Sequence, residues 1–163
     1  VKKMTKTELL EILVKELRFI DGGRSSLDTK YGQAQLGHDA YQFTHNVHEN
    51  VYPRYIFLEE VNDFPIICLH ALEETRTHIG GGVKYGNILI NLRGYVYDED
   101  EDDVNASAEA LIDDIDHVIS LLPARHPCFV ELRVLDISTD EGLMEPHGVL
   151  EMNLLATYLV ESE

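Results

Sequence analysis

NILINLRGYVYDEDEDDVNASAEALIDDIDHVISLLP, residues 87–123, changes its hydrophobic period halfway along, and that change decides the fold class. From Asn87 to Tyr97 the period is two. Ile88, Ile90, Leu92 and Val96 alternate with Asn87, Asn91, Arg93 and Tyr95, with Leu89 as the exception. Period two with one apolar face predicts a strand covered on one side and open on the other. Gly94 falls on the apolar face, where a bulge or a close neighbour fits. After the acidic run at residues 98–103 the period becomes helical. Ala108, Leu111, Ile112, Ile115, Val118, Ile119 and Leu122 form one stripe. The preceding carboxylates favour the positive end of that helix, and Pro123 is expected to stop it.

Working outward, TKTELLEILVKELRFI at residues 5–20 predicts a first helix. Thr5 and Glu8 have capping-box spacing, the apolar residues Leu9, Ile12, Leu13, Leu17 and Ile20 repeat at helical spacing, and Gly22-Gly23 is the expected end. Residues 21–50 are polar and read as a long loop, of the kind that is functional or mobile. RYIFLEEVNDFPIICLHAL, residues 54–72, reads as a hairpin with strands at Tyr55–Leu58 and Ile66–Leu69. EETRTHIGGGVKYG, residues 73–86, reads as a polar, Gly-rich connector. Two further strands close the chain. In the first, Cys128, Val130, Leu132 and Val134 alternate with Phe129, Glu131 and Arg133. In the second, Leu150, Met152, Leu154, Ala156, Tyr158 and Val160 alternate with Glu151, Asn153 and Thr157. The order α-β-β-β-α-β-β predicts an α+β fold, one domain over residues 1–163, with two helices on one face of a mostly antiparallel sheet.

With 163 residues the chain fits one domain with a core of its own. Thirty acidic residues against thirteen basic ones give a formal charge of −17. Such a surface repels nucleic acid and anionic membranes and suits solubility or a basic partner. Cys68 and Cys128 sit in apolar surroundings with no CxxC, so free buried thiols and a reducing cytoplasm are expected. No apolar run reaches the ~20 residues of a membrane span. VKKMTKTELLEIL at the start lacks a signal-peptide core, and Met4 is the expected natural start.

Few residues point to chemistry. His45 and His48 stand at i, i+3, with His38 nearby, but the spacing fits zinc poorly and the general-base Glu of HExxH is missing. The glycines at 80–82 precede a strand, so they do not form a P-loop. Asp113, Asp114 and Asp116 read as a solvated helix face. The run DEDEDD lacks the glycine and ligand spacing of a calcium loop. No cofactor is expected. A strand face bearing Asn87, Asn91, Arg93, Tyr95 and Tyr97 fits either a solvated sheet face or a protein interface, since Tyr and Arg are enriched in interface cores.

Three segments together carry a likeness. They are RYIFLEEVNDFPIICLHAL, LINLRGYVYDEDEDDVNASAEALIDDIDHVI and ISTDEGLMEPHGVLEMNLLATYL, the last with the pattern S-T-D-E-G-L-x-x-P-x-G. Over residues 55–160, and over residues 5–20 by helix position, the chain resembles the tail terminator, or tail completion, proteins of long-tailed siphophages, also called tail-to-head joining proteins. The resemblance implies a structural protein without catalysis. It also implies a homo-hexameric ring that caps the tail tube, stops its growth and offers a surface to the head connector, with DNA passing through unbound. The place implied is the head–tail junction of the virion, after assembly in the host cytoplasm. On that reading the interface and lumen candidates are Asn91, Arg93, Tyr95, Asp98, Glu99, Asp100, Arg133, Thr139, Asp140, Glu141 and Glu145. The alternatives are another neck component, such as a head completion protein, and a small metal-dependent α+β enzyme built on the histidines.

Overall fold

The computed structural model describes residues 3–20, 43–47, 49–99, 103–144 and 146–160. Helix α1, Lys6–Leu17, begins where its capping box predicts: the Thr5 hydroxyl accepts from the Glu8 backbone N–H at 3.2 Å. It ends earlier than expected. Arg18 N donates to Val14 O and Ile20 N to Leu17 O, so the chain tightens after Leu17 and still buries Ile20. Gly22 and Gly23, and the loop expected at 21–50 as far as residue 42, lie outside the described residues, as does His48.

Five strands form one sheet: β1 (Val51–Tyr52), β2 (Ile66–Gly80), β3 (Val83–Tyr97), β4 (Phe129–Thr139) and β5 (His147–Leu159), in the order β1-β2-β3-β5-β4. All neighbours are antiparallel except β1 and β2. Helix α2, Val104–Arg125, joins β3 to β4. One cluster holds the core. Leu9, Leu13 and Leu17 from α1 and Leu111, Ile115 and Val118 from α2 lie over Leu69, Ile88, Ile90, Leu92, Leu150, Met152 and Leu154. Element order and class follow the sequence, and β5 alternates buried and half-buried along its full length.

Four local expectations are corrected. The expected hairpin between Tyr55–Leu58 and Ile66–Leu69 is not formed. The strand lies earlier, at Val51–Tyr52, and runs parallel to β2, because Val51 rather than the 55–58 stretch enters the main core. Residues 55–58 instead cross the opposite face of the sheet, where Ile56 packs with Ile66, Cys68 and Tyr95, and a 3-10 turn follows at Leu58–Glu60.

The connector expected at 73–86 is part of the longest hairpin. β2 and β3 pair from Ile66↔Tyr95 out to Gly80↔Val83, and Gly81 and Gly82, at φ 62° and 78°, make the two-residue turn. Its polar composition misled because the register is held from the other side, where β3 pairs with β5 as far as Tyr85↔Leu159.

Pro123 lies within α2 and does not end it. His126 N donates to Leu122 O, and burial of Leu122 holds the final turn on the core. In β4 a register shift between Phe129 and Glu131 breaks the alternation. Phe129 is buried beside Cys128, and Val130 is turned out. Both cysteines are buried and joined by no disulfide, as expected.

Candidate functional site

Helices cover one face of the sheet. The opposite face carries two polar rows separated by the apolar pair Leu89 and Leu155. Asn91 Nδ2 donates to Glu151 at 2.6 Å and to Asn153 at 3.1 Å, and Asn153 Nδ2 donates to Asp136 at 2.8 Å. Two rows further along, Thr157 Oγ1 donates to Asn87 Oδ1 at 3.0 Å and Asn87 Nδ2 to Thr77 at 3.3 Å. These bonds tie β2, β3, β5 and β4 into one rigid layer, since buried amides are costly to leave unpaired.

The strand face expected to be open is therefore partly closed. Asn91 and Tyr95 are buried, and the 55–58 crossing covers Tyr95. Tyr95 donates its hydroxyl to Ile56 O at 2.9 Å, and burial pushes its pKa up against the lowering effect of Arg93. The Arg93 guanidinium lies 4.4 Å from the Tyr55 ring centroid and 3.7 Å from Glu151, while its buried Nε has no hydrogen-bond partner among the described residues. Arg93 remains partly exposed beside the exposed Tyr97.

The acidic tip of the closing hairpin is organised from within. The Asp140 carboxylate accepts from the backbone N–H groups of Met144 at 3.0 Å, Val149 at 3.3 Å and Gly142 at 3.4 Å. Asp140 N donates to Val149 O at 3.0 Å, and Thr139 Oγ1 accepts from Glu141 N at 3.4 Å. Glu141 and Gly142 take left-handed backbone angles, φ 53° and 84°. Asp140, a candidate for facing the lumen, is thus used in shaping the turn. What the turn presents is apolar: Leu143 is 86% exposed and Met144 47%. That pair was legible as the only apolar residues within STDEGLMEP, but the charges around it drew the reading.

Beneath the tip, Asp98 N donates to Pro146 O at 3.1 Å, which places Asp98 and Glu99 at the hairpin base. Phe64, Tyr97 and His147 form a ring cluster there, with centroids 5.2–5.9 Å apart. The structure thus gathers Asp98, Glu99, Thr139, Asp140 and Glu141 at one end of the sheet. Asn91, Arg93 and Tyr95 lie mid-face, and Arg133 stands on the outermost strand, 3.2 Å from Glu131. Asp100 and Glu145 lie outside the described residues.

The residues weighed for chemistry have structural roles. Asp114 is not on a solvated face. It is fully buried, and its carboxylate accepts from the backbone N–H groups of Thr44 at 3.2 Å and His45 at 2.9 Å. His45 Nε2 lies 2.8 Å from Ser107 O. His38 lies outside the described residues. The described residues hold no group of three or more His, Cys, Asp or Glu placed to bind a metal, and no helix among them is long and apolar enough to cross a membrane.

A sheet tied by side-chain amides, with an exposed apolar tip, offers contact surfaces, and the described residues hold no metal cluster. Residues 24–163 match the model of the bacteriophage tail tube terminator proteins, and the chain belongs to that family. It is a structural protein of the phage tail, carried in the virion, and is not an enzyme. Tail tube terminator protein p142 of Escherichia phage T5 is 27% identical over 129 residues, spanning 72% of this chain and 79% of that protein. A chain from the virion of a native gene transfer agent particle shares the fold, with a TM-score of 0.51 at 9% identity over 93% of this chain and 94% of that one.

Proposed function

We propose that this chain forms a homo-hexameric ring that caps the tail tube, ends its polymerisation and offers its outer surface to the head connector. The match of residues 24–163 to the tail tube terminator family carries the reading. The geometry supports it in two ways. The sheet has different surfaces at its two edges, so copies related by rotation meet through unlike surfaces, and such contacts form a ring when the rotation closes. The closing hairpin projects a stiff tip from one end of the sheet, suited to a contact above or below the ring.

Charge supports the passage of DNA without binding. Each copy carries −17, and DNA carries about one charge per 1.7 Å of its axis. A ring of such copies repels the phosphate backbone. Within this reading Glu99 and Glu141 keep exposed carboxylates for the channel or the tube, and Asp140 shapes the turn beside them.

The test is native mass over a concentration series, with electron microscopy of the same samples and of headless tails mixed with the protein. Closed six-membered rings, or six copies at one end of each tube, are expected. A protein that neither closes into rings nor caps tubes would overturn the reading.

A further inference from the structure

The sheet ends on both sides in strand edges that nothing covers among the described residues. On one side is the full length of β4. On the other, β1 pairs with β2 only at Ile67 and Cys68, which leaves β2 open from Leu69 to Gly80. Among the charges, prolines and bulges by which soluble proteins guard such edges, lysine and proline are prominent. Neither FVELRVLDIST nor LEETRTHIG contains either residue. Both edges instead expose large apolar side chains, Val130, Leu135 and Ile137 on β4 and Leu72 and Ile79 on β2.

Strand sense makes the two edges compatible. β2 opposes β3, β3 opposes β5, and β5 opposes β4, so β4 runs opposite to β2. Rotation about a ring axis preserves strand sense along that axis. β4 of one copy therefore meets β2 of the next antiparallel, and the alternation continues unbroken. The register shifts at Ala71/Glu73 and at Val134/Asp136 place one irregularity near each edge, with Leu72 and Leu135 as the extra residues. Bulges of this kind supply the curvature that a closing sheet needs.

Charge fixes the register. Glu73 pairs with Leu89, Leu89 with Leu155, and Leu155 with Arg133, so Glu73 and Arg133 stand at the two ends of one row on the same face. Both are exposed. The contact of Arg133 with Glu131 is between side chains 57% and 47% exposed, and such surface pairs hold weakly.

We infer that neighbouring copies join edge to edge, β4 of one against β2 of the next, with Arg133 facing Glu73 across the joint, so that the sheets continue around the ring. The inference rests on the ring reading above and specifies how the ring closes.

The test uses full-length protein, in solution and bound to headless tails. Arg133→Glu and Glu73→Arg are each expected to reduce ring formation at least tenfold with unchanged circular dichroism, and the double exchange to restore it. Arg133→Cys with Glu73→Cys, oxidised, is expected to give a covalent ladder ending at the hexamer. Normal rings that ignore both charge reversals and give no ladder would overturn the joint and leave the ring standing. Wild-type protein that makes no ring in either setting would overturn the ring reading, and the joint with it.

Discussion

The Tyr158 hydroxyl on β5 donates to the Glu74 carboxylate on β2, two strands away. The ring reaches across β3 because Gly86 lies beneath it: a Cβ there would stand 2.5 Å from Tyr158 Cε1. A single side chain thus locks three strands in register. The lock sits where the long hairpin loses the cover of the helices, and β2 is exposed from Thr75 onward.

Burial, the bond to Glu74 and the Glu74 charge all raise the Tyr158 pKa above its ordinary value near 10. The folded chain then holds this proton more tightly than the unfolded chain. The contribution is complete below about pH 10 and is lost as pH rises further. Tyr158→Phe is expected to cost about 1–2 kcal/mol at pH 7 and to lose less stability than the wild type between pH 9 and 11. Urea denaturation at the three values checks this, and parallel pH slopes would refute it.

His117 behaves in the opposite sense. Burial lowers its pKa, against the raising effect of Asp114 and Asp116, and its ring packs edge-on to Phe43 with centroids 5.8 Å apart. The unfolded chain takes up this proton first, near pH 6.5, so stability is present above that value and falls as pH drops below it. His117→Gln is expected to flatten the decline of the urea midpoint between pH 7 and 5. An unchanged decline would assign the acid sensitivity to other groups.

Asp114 fastens the 43–47 segment to α2 through two backbone N–H groups. Asp114→Ala leaves both donors without this acceptor and is expected to destabilise the fold by about 2–3 kcal/mol. Hydrogen exchange should quicken first at Thr44 and His45. Protection unchanged at both would show that another acceptor takes over.

At the hairpin tip, shape and charge separate cleanly by substitution. Asp140→Asn keeps an acceptor oxygen and removes the charge, whereas Asp140→Ala removes both. If the turn is what matters, the asparagine variant joins tails normally and the alanine variant does not. Amide exchange at Gly142 and Val149, which share one carboxylate oxygen, should rise in the alanine variant alone, and exchange at Met144, which uses the other oxygen, in both. Equal defects in the two variants would favour the charge.

Leu143 is 86% exposed, so Leu143→Ser is expected to leave the melting temperature within about 1 °C and to weaken capping of tail tubes at least tenfold. Capping measured by electron microscopy of headless tails decides it. Normal capping would remove the apolar tip from the contact.

The candidate site was only partly legible. The sequence located the closing hairpin and ranked its acids as the exposed feature, because charge is visible in a string of letters. Which oxygen meets which N–H is not. Asp140 turns inward because Gly142 and Glu141 fold the tip back on it, and the same fold pushes Leu143 out. Likewise Asn91 and Tyr95 read as an open strand face, whereas the crossing of residues 55–58 covers Tyr95 and Asn91 is bonded to Glu151 and Asn153.

By itself the sequence determined the local periods and their order. Period two in β3 and β5, period 3.6 in α1 and α2, and the Thr5 cap depend on neighbours a few positions away, and they suffice for an α+β class. Tertiary structure alone decided how far the strands run and what lies at their edges. The polar stretch 73–86 becomes strand because β5 pairs with β3 from the far side, and Pro123 stays helical because Leu122 is held in the core. Both are contacts between residues distant in the chain, whose energy outweighs local preference and leaves no periodic trace in the sequence.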